Sequence, residues 1–214
     1  RVDWNSPAQL LEQIIHHEAV HEIDGWDDLR RRLRPDRRCF AFFHPQLPDE
    51  PLIFVEVALV PEMAGAIAPL IDKRAQPLPA EQFKVAVFYS ISNCQPGLRG
   101  VSLGNFLIKR VAEQLKRELP QVKTFCTLSP IPGFMAWLTK ARPAALPAKA
   151  QRAHDDLQAA CGDDFSALTQ AARLVALPGS AHHALWRLAA HYLVDISPLA
   201  QGDPVARFHV DNGA

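Results

Sequence analysis

FKVAVFYSISNCQPGLRGVSLGNFLIKRVAEQLKRELPQVKTFCT, residues Phe83–Thr127, lays a strand, a loop, a helix and a second strand end to end. In Phe83–Asn93, Val85, Val87, Tyr89 and Ile91 recur at period two, the pattern of a strand with a buried face. Cys94–Gly100 is a loop containing Pro96, Gly97 and Gly100. Leu103–Glu118 carries Phe106, Leu107, Val111 and Leu115 on one helical face. Pro120 ends that helix, because proline has no amide for the next turn and its ring clashes with the preceding one. Val122–Thr127 is strand-like again.

Upstream, Ser6 and Pro7 start a helix as cap and first-turn proline, with Leu10, Leu11, Ile14 and Ile15 at helical spacing. Gly25 closes that segment. Trp26–Leu33 reads as a second short helix, its acids early and its bases late to suit the helix dipole. Cys39–His44 and Leu52–Leu59 are strands of a hairpin joined through Pro45, Pro48 and Pro51, and Met63–Lys73 is read as a short helix. Downstream, Pro130–Thr139 opens a helix and Ala141–Ala150 is an Ala/Pro-rich surface stretch. Helices are expected at Gln151–Cys161, Asp164–Leu174 and Ser180–Leu193, and Val205–Val210 is expected as a closing strand. No repeat or composition break marks a second domain. Residues 1–214 are therefore read as one α+β (mixed α/β) domain: a central sheet flanked by helices, with a helical insertion before the last strand.

The 214 residues suffice for a sizeable core. Lys plus Arg and Asp plus Glu number 23 each, so no global field draws in nucleic acid or an anionic membrane, and an anionic ligand needs a local arrangement. Apolar runs such as Cys39–Phe43 and Val85–Tyr89 are too short to span a bilayer. Arg1–Leu11 shows no secretory signal. The four cysteines, Cys39, Cys94, Cys126 and Cys161, are scattered, which points to a reducing compartment, the cytoplasm. The chain opens on Arg1, as an excised or processed piece does.

Three features carry candidate chemistry. Gln95–Asn105 joins a strand to a long helix. Its glycines permit close backbone approach, and the helix start offers free N–H groups and a positive dipole end to a pyrophosphate. Arg99, Lys109 and Arg110 add positive charge. A plain glycine turn is the other reading; the loop matches neither a Walker loop nor a dinucleotide fingerprint. Ser129, between a strand and Pro130, reads as a helix cap or a functional hydroxyl. His209, on the face shared by Val205 and Arg207 of the expected last strand, reads as structural or as a proton donor. His17-Glu18-Ala19-Val20-His21 matches the zinc-binding HExxH pattern on a helix placing both histidines on one face. Glu22 puts a charge where that pattern needs none, Gly25 ends the helix, and no third ligand follows at a familiar spacing. His182, His183 and His191 are read as surface or packed residues.

Arg99-x-x-Ser102-x-Gly104 resembles the pyrophosphate loop of GNAT acyltransferases, with Ser102 in place of the middle glycine. Longer stretches resemble malonyl-CoA decarboxylases: Phe88–Ser92 with Gln95, Gly97-Leu98, Gly104 and Phe106–Arg110; Leu128–Phe134, the most specific; and Pro204-Val205-Ala206-x-Phe208-His209 with Asn212-Gly213-Ala214. Arg37–Cys39, Glu50–Leu52, Val57–Leu59, and Glu18–His21 with Trp26 are similar to that family too. The resemblance implies a GNAT-like fold and a carboxy-lyase of fatty acid metabolism that converts malonyl-CoA to acetyl-CoA and carbon dioxide. The thioester carbonyl itself accepts the electrons of the broken bond, so no metal and no organic cofactor is required. It further implies that Arg99, Gly100, Val101, Ser102, Leu103, Gly104 and Asn105 hold the CoA thioester, that Ser129 contacts the malonyl group and that His209 delivers the proton. The family's helical N-terminal domain and its segment beyond Ala214 are expected to be absent, and a homo-oligomer is left open. Against this stand an acyl-CoA-dependent acyltransferase of the GNAT type, a zinc peptidase, and a non-catalytic acyl-CoA-binding module.

Overall fold

The structure, a computed structural model, describes residues 1–98, 101, 103–162, 164–197 and 203–211. The chain divides into two compact units, Arg1–Ser129 and Pro130–Ala214.

The first unit is built on a four-stranded sheet of order β1-β2-β3-β4: Arg37–His44, Leu47–Val60, Val85–Asn93 and Thr124–Thr127. β1 and β2 form the expected antiparallel hairpin, although β2 begins five residues earlier than the alternation suggests, at Leu47. β3 pairs antiparallel with β2 and parallel with β4. Helix α4, Leu103–Glu118, spans the range read from its periodicity and crosses from β3 to β4. Gly104, Leu107, Val111 and Leu115 face inward. Phe106 does not share that face: it is half exposed and stacks on Phe42, ring centroids 5.5 Å apart.

A bulge governs the faces of β3. Val57 pairs with Phe88 but Glu56 pairs with Ser90, so Tyr89 is an extra residue on β3 and side-chain alternation reverses there. Val85, Val87 and Tyr89 share one apolar cluster, whereas Ile91 joins Ala86 and Phe88 against α4. The unbroken alternation read through Ile91 is thereby corrected. Ser90 and Ser92 instead share the sheet face of Glu56 and Phe54, their partners on β2.

That second face is covered by α1, Ala8–His17, α2, Gly25–Arg32, and the four-residue α3, Ala68–Ile71. α3 is far shorter than the expected Met63–Lys73. α1 starts one residue later than expected: Pro7 stands in the cap position and not in the first turn, and the Ser6 hydroxyl accepts the Asp3 amide (3.1 Å) and caps no helix. Leu11, Ile14, Leu29, Cys39 and Phe54 form the apolar part of this interface. Its centre is charged. Arg32, 1% exposed, donates from Nε to Asp28 (3.0 Å), from Nη1 to Glu56 (2.9 Å) and from Nη2 to the Glu22 carbonyl (2.9 Å). Beside it Asp36, fully buried, binds Arg31 through both oxygens (2.8 and 3.0 Å) and Arg37 (2.9 Å), while Arg37 also reaches the Leu70 carbonyl of α3.

The second unit is helical among its described residues. Helices α5, Phe134–Leu138, α6, Ala148–Cys161, α7, Ala171–Val175, and α8, Gly179–His191, are followed by a π-helical turn, Tyr192–Ile196, and α9, Pro204–Asp211. The expected helix at Asp164–Leu174 is a 3-10 turn, Phe165–Thr169, followed by α7. α5 starts four residues later than Pro130, past Pro130 and Pro132. α6 and α8 pack through matched small residues: Ala150, Ala153 and Leu157 against Ala181, Ala184 and Leu188, all within one cluster. The part of the Ala/Pro-rich stretch nearest α6 is thus not all surface, since Ala150 is buried.

The expected closing strand at Val205–Val210 is helix α9. Asp203-Pro204 supplies a cap and a first-turn proline, a helix start that outweighs the short-range alternation of Val205, Arg207 and His209. Val205, Ala206, Phe208 and His209 are the partly buried positions, whereas Arg207 is exposed.

Burial pushes the Glu56 carboxyl up to about 7 from its ordinary 4.5, partly offset by Arg32. For Arg32, burial opposes the charge, but Glu56 and Asp28 outweigh it and raise its pKa. Arg32→Ala leaves two buried acids without their cation and should cost about 3–5 kcal/mol in urea unfolding. A loss under about 1 kcal/mol would remove the network from its central place. The raised Glu56 value has a definite sign. From 4.5 to about 7 the unfolded chain is ionised at this position while the folded chain keeps its proton, so stability falls as pH rises through that window. Glu56→Gln should abolish this part of the slope, and superimposable pH profiles for the two proteins would refute the assignment.

Candidate active site

The resemblance to a CoA-binding loop directs attention to the carboxyl ends of β3 and β4. The two strands pair only from Val85–Thr124 to Phe88–Thr127, extended by the Leu128 amide donating to the Phe88 carbonyl (2.9 Å). Beyond Phe88, β3 runs on to Asn93 without β4 beside it. The loop from β3 to α4 starts at this open end, and Ser129 follows β4 at the same end. Carboxyl ends of parallel strands are where open sheets bind ligands, because loops and helix starts converge there.

Gln95 fixes the start of the loop, donating from Nε2 to the Pro51 carbonyl (3.3 Å) and to Glu50 (3.4 Å). Pro96–Leu98 is a 3-10 turn. Val101 is exposed, Leu103 and Asn105 are half-buried and Gly104 is buried in the first turn of α4. Arg99, Gly100 and Ser102, three of the residues expected to hold the thioester, lie outside the described residues. Arg110 sets its guanidinium over the Phe106 ring, 5.3 Å from the centroid, and 3.6 Å from Glu113.

Ser129 is exposed and stands apart from any helix, since α5 begins at Phe134 and is preceded by Gly133. The capping role open to it from sequence is therefore not the one it has. His209 lies in the second unit, on α9. Burial lowers its pKa from the ordinary histidine value, favouring the neutral ring.

The HExxH stretch does not lie on one helix. α1 ends at His17, and Glu18 is already extended, with φ −64° and ψ 113°. Its carboxylate accepts the Val20 and His21 amides (both 2.9 Å), the groups that a continuing helix would have bonded to its own carbonyls. The same carboxylate accepts the Ser90 hydroxyl (2.6 and 2.7 Å) and the Ser92 hydroxyl (3.3 Å) on the open part of β3. Burial lowers the pKa of both His17 and His21. Among the described residues no group of three or more His, Cys, Asp and Glu side chains is placed to hold a metal ion, and no helix is long and apolar enough to cross a membrane.

The sequence reading missed the roles of two residues, one in each unit. Asp203 caps α9, and its signal was the Asp-Pro pair. Glu18 anchors the open stretch of β3; its signal was hidden inside the zinc-like motif.

Comparison with known proteins identifies the family. The model of the malonyl-CoA decarboxylase C-terminal domain matches residues 1–214. The mitochondrial malonyl-CoA decarboxylases of Anser anser anser and Mus musculus are 47% identical over 140 residues and 46% identical over 141 residues, each match covering 64% of this chain and 28% of the relative. Crystal structures of malonyl-CoA decarboxylase from Rhodopseudomonas palustris and Agrobacterium vitis match 100% of this chain at 49% and 48% identity, each with a TM-score of 0.79. The chain spans 52% of the length of each of those two structures. Neither the acyltransferase nor the peptidase reading is favoured by these matches. Over its whole length, residues 1–214, this chain belongs to the malonyl-CoA decarboxylase family, matching the C-terminal domain.

Proposed function

We propose that this chain is the catalytic part of an enzyme that decarboxylates malonyl-CoA to acetyl-CoA through an enolate, with no metal or organic cofactor. The observation that carries the reading is the open end of β3, where the strand outruns β4 and α4 presents its first turn. A helix start with free N–H groups suits the pyrophosphate of CoA, and the unpaired strand edge offers backbone groups to an amide-containing arm. In this reading Ser129, which follows β4 at the same end of the sheet, contacts the malonyl group.

In the reaction the bond between the carboxylate carbon and the methylene carbon breaks. Its electron pair passes to the thioester oxygen as an enolate, and carbon dioxide leaves. The enolate then collapses, its α-carbon taking one proton to give acetyl-CoA. A hydroxyl from Ser129 stabilises developing charge, and His209 supplies the proton. Burial of His209 makes its protonated ring a stronger acid while shifting the resting ring toward the neutral form. The scattered spacing of the four cysteines is the argument for a reducing, cytoplasmic setting.

Incubating the protein with malonyl-CoA should yield acetyl-CoA and carbon dioxide in equal amounts, and exhaustive chelation should leave the rate unchanged. Zinc bound in stoichiometric amount, with activity lost on its removal and restored on its return, would overturn the metal-free mechanism. His209→Asn keeps a hydrogen-bonding side chain without a usable proton, and should abolish turnover while malonyl-CoA still binds. Ser129→Ala should slow turnover roughly a hundredfold, the usual effect of losing one preorganised donor. Near-parental turnover in His209→Asn would assign proton delivery to another group.

A further inference from the structure

The two segments most like the family's motifs, Leu128–Phe134 and the stretch opening at Pro204, meet at one carboxylate in the second unit. Asp203 is 3% exposed. Its Oδ1 accepts the Val205 and Ala206 amides (3.0 and 3.1 Å), which caps α9. Capping requires no more than that oxygen. Oδ2 is turned to a position 70 residues away in sequence, accepting the Gly133 amide at 2.9 Å, with the Tyr192 hydroxyl at 3.4 Å. The backbone amide of Asp203 donates to the Ser197 hydroxyl (3.1 Å), so the carboxylate is itself held in place.

The space around Gly133 is crowded. A Cβ there would run into the Tyr192 hydroxyl and stand 3.2 Å from Asp203 Oδ2. His209 lies fewer than two helical turns from the capped end, so whatever fixes Asp203 fixes the start of its helix.

We propose that Asp203 is a positioning residue for the decarboxylation: it locks the Gly133 turn to the first turn of α9 and so sets where His209 is presented. This role rests on the function proposed above, but the lock itself can be tested without turnover. Asp203→Asn retains Oδ1 for the cap but turns an amide donor toward the Gly133 N–H. In hydrogen exchange the variant should keep protection at Val205 and Ala206 while Gly133 loses it. Asp203→Ala should lose protection at both places. In steady-state kinetics Asp203→Asn should lower kcat roughly tenfold to a hundredfold, the scale of a small misplacement of a reacting group, with KM for malonyl-CoA little changed. Gly133→Ala should lower kcat similarly, and adding Tyr192→Phe should recover part of the loss by removing the colliding oxygen.

Unchanged exchange at Gly133 in Asp203→Asn would overturn the lock whatever the activity. Parental kcat in a variant whose Gly133 amide has become exposed would overturn the positioning role. If the unaltered protein showed no turnover of malonyl-CoA, the proposed function would fail, and the exchange pattern would still decide whether Asp203 joins the two segments.

Discussion

The first unit depends on a guanidinium that has almost no contact with water. Arg32 sits between α2 and the sheet, and its donors are divided among Asp28 of its own helix, Glu56 of β2 and the Glu22 carbonyl of the connecting loop. An apolar side chain of similar size would fill the space but would not link three separate pieces of backbone. The arrangement also imposes its own constraint: Glu56 is fully buried, and that burial, partly offset by Arg32, makes it keep its proton more tightly than a glutamate ordinarily does. The neighbouring cluster sets two arginines on Asp36.

This charged layer lies on the face of β3 toward which Ser90 and Ser92 point. Glu18 gathers both hydroxyls and two loop amides, so the part of β3 that lacks β4 beside it is restrained from below by side chains. A strand edge without a neighbouring strand must be kept straight by something else, and here the end of α1 provides it. Placing an ionisable group at that end is consistent with α1 stopping at His17, since the helix cannot continue once the carboxylate has taken its next amides.

Much of the fold could be read from the sequence because strong periodicity in α4, β1 and β3 coincides with burial. The failures have local causes. The bulge at Tyr89 is invisible to an alternation pattern that runs on through Ile91. α9 was taken for a strand because Val205, Arg207 and His209 alternate over too short a span to outweigh the Asp203-Pro204 start signal. Glu18 looked like part of a zinc motif because spacing alone says nothing about where a helix stops. Ser129 and Gly104 were singled out through motif context, whereas Asp203 was not: its partner Gly133 is 70 residues away, and no local pattern reports such a pairing.

The bulge also bears on how the chain can change length. Removing Tyr89 alone would restore uninterrupted pairing with β2 and leave Ser90 opposite Glu56 and Ile91 opposite Val55, on the faces they already occupy. What would go is the buried ring that fills the space beside Val85 and Val87. An aligned relative one residue shorter here should therefore keep both faces of the later strand and enlarge a neighbour of that ring, so the segment is freer in length than in the volume it must fill.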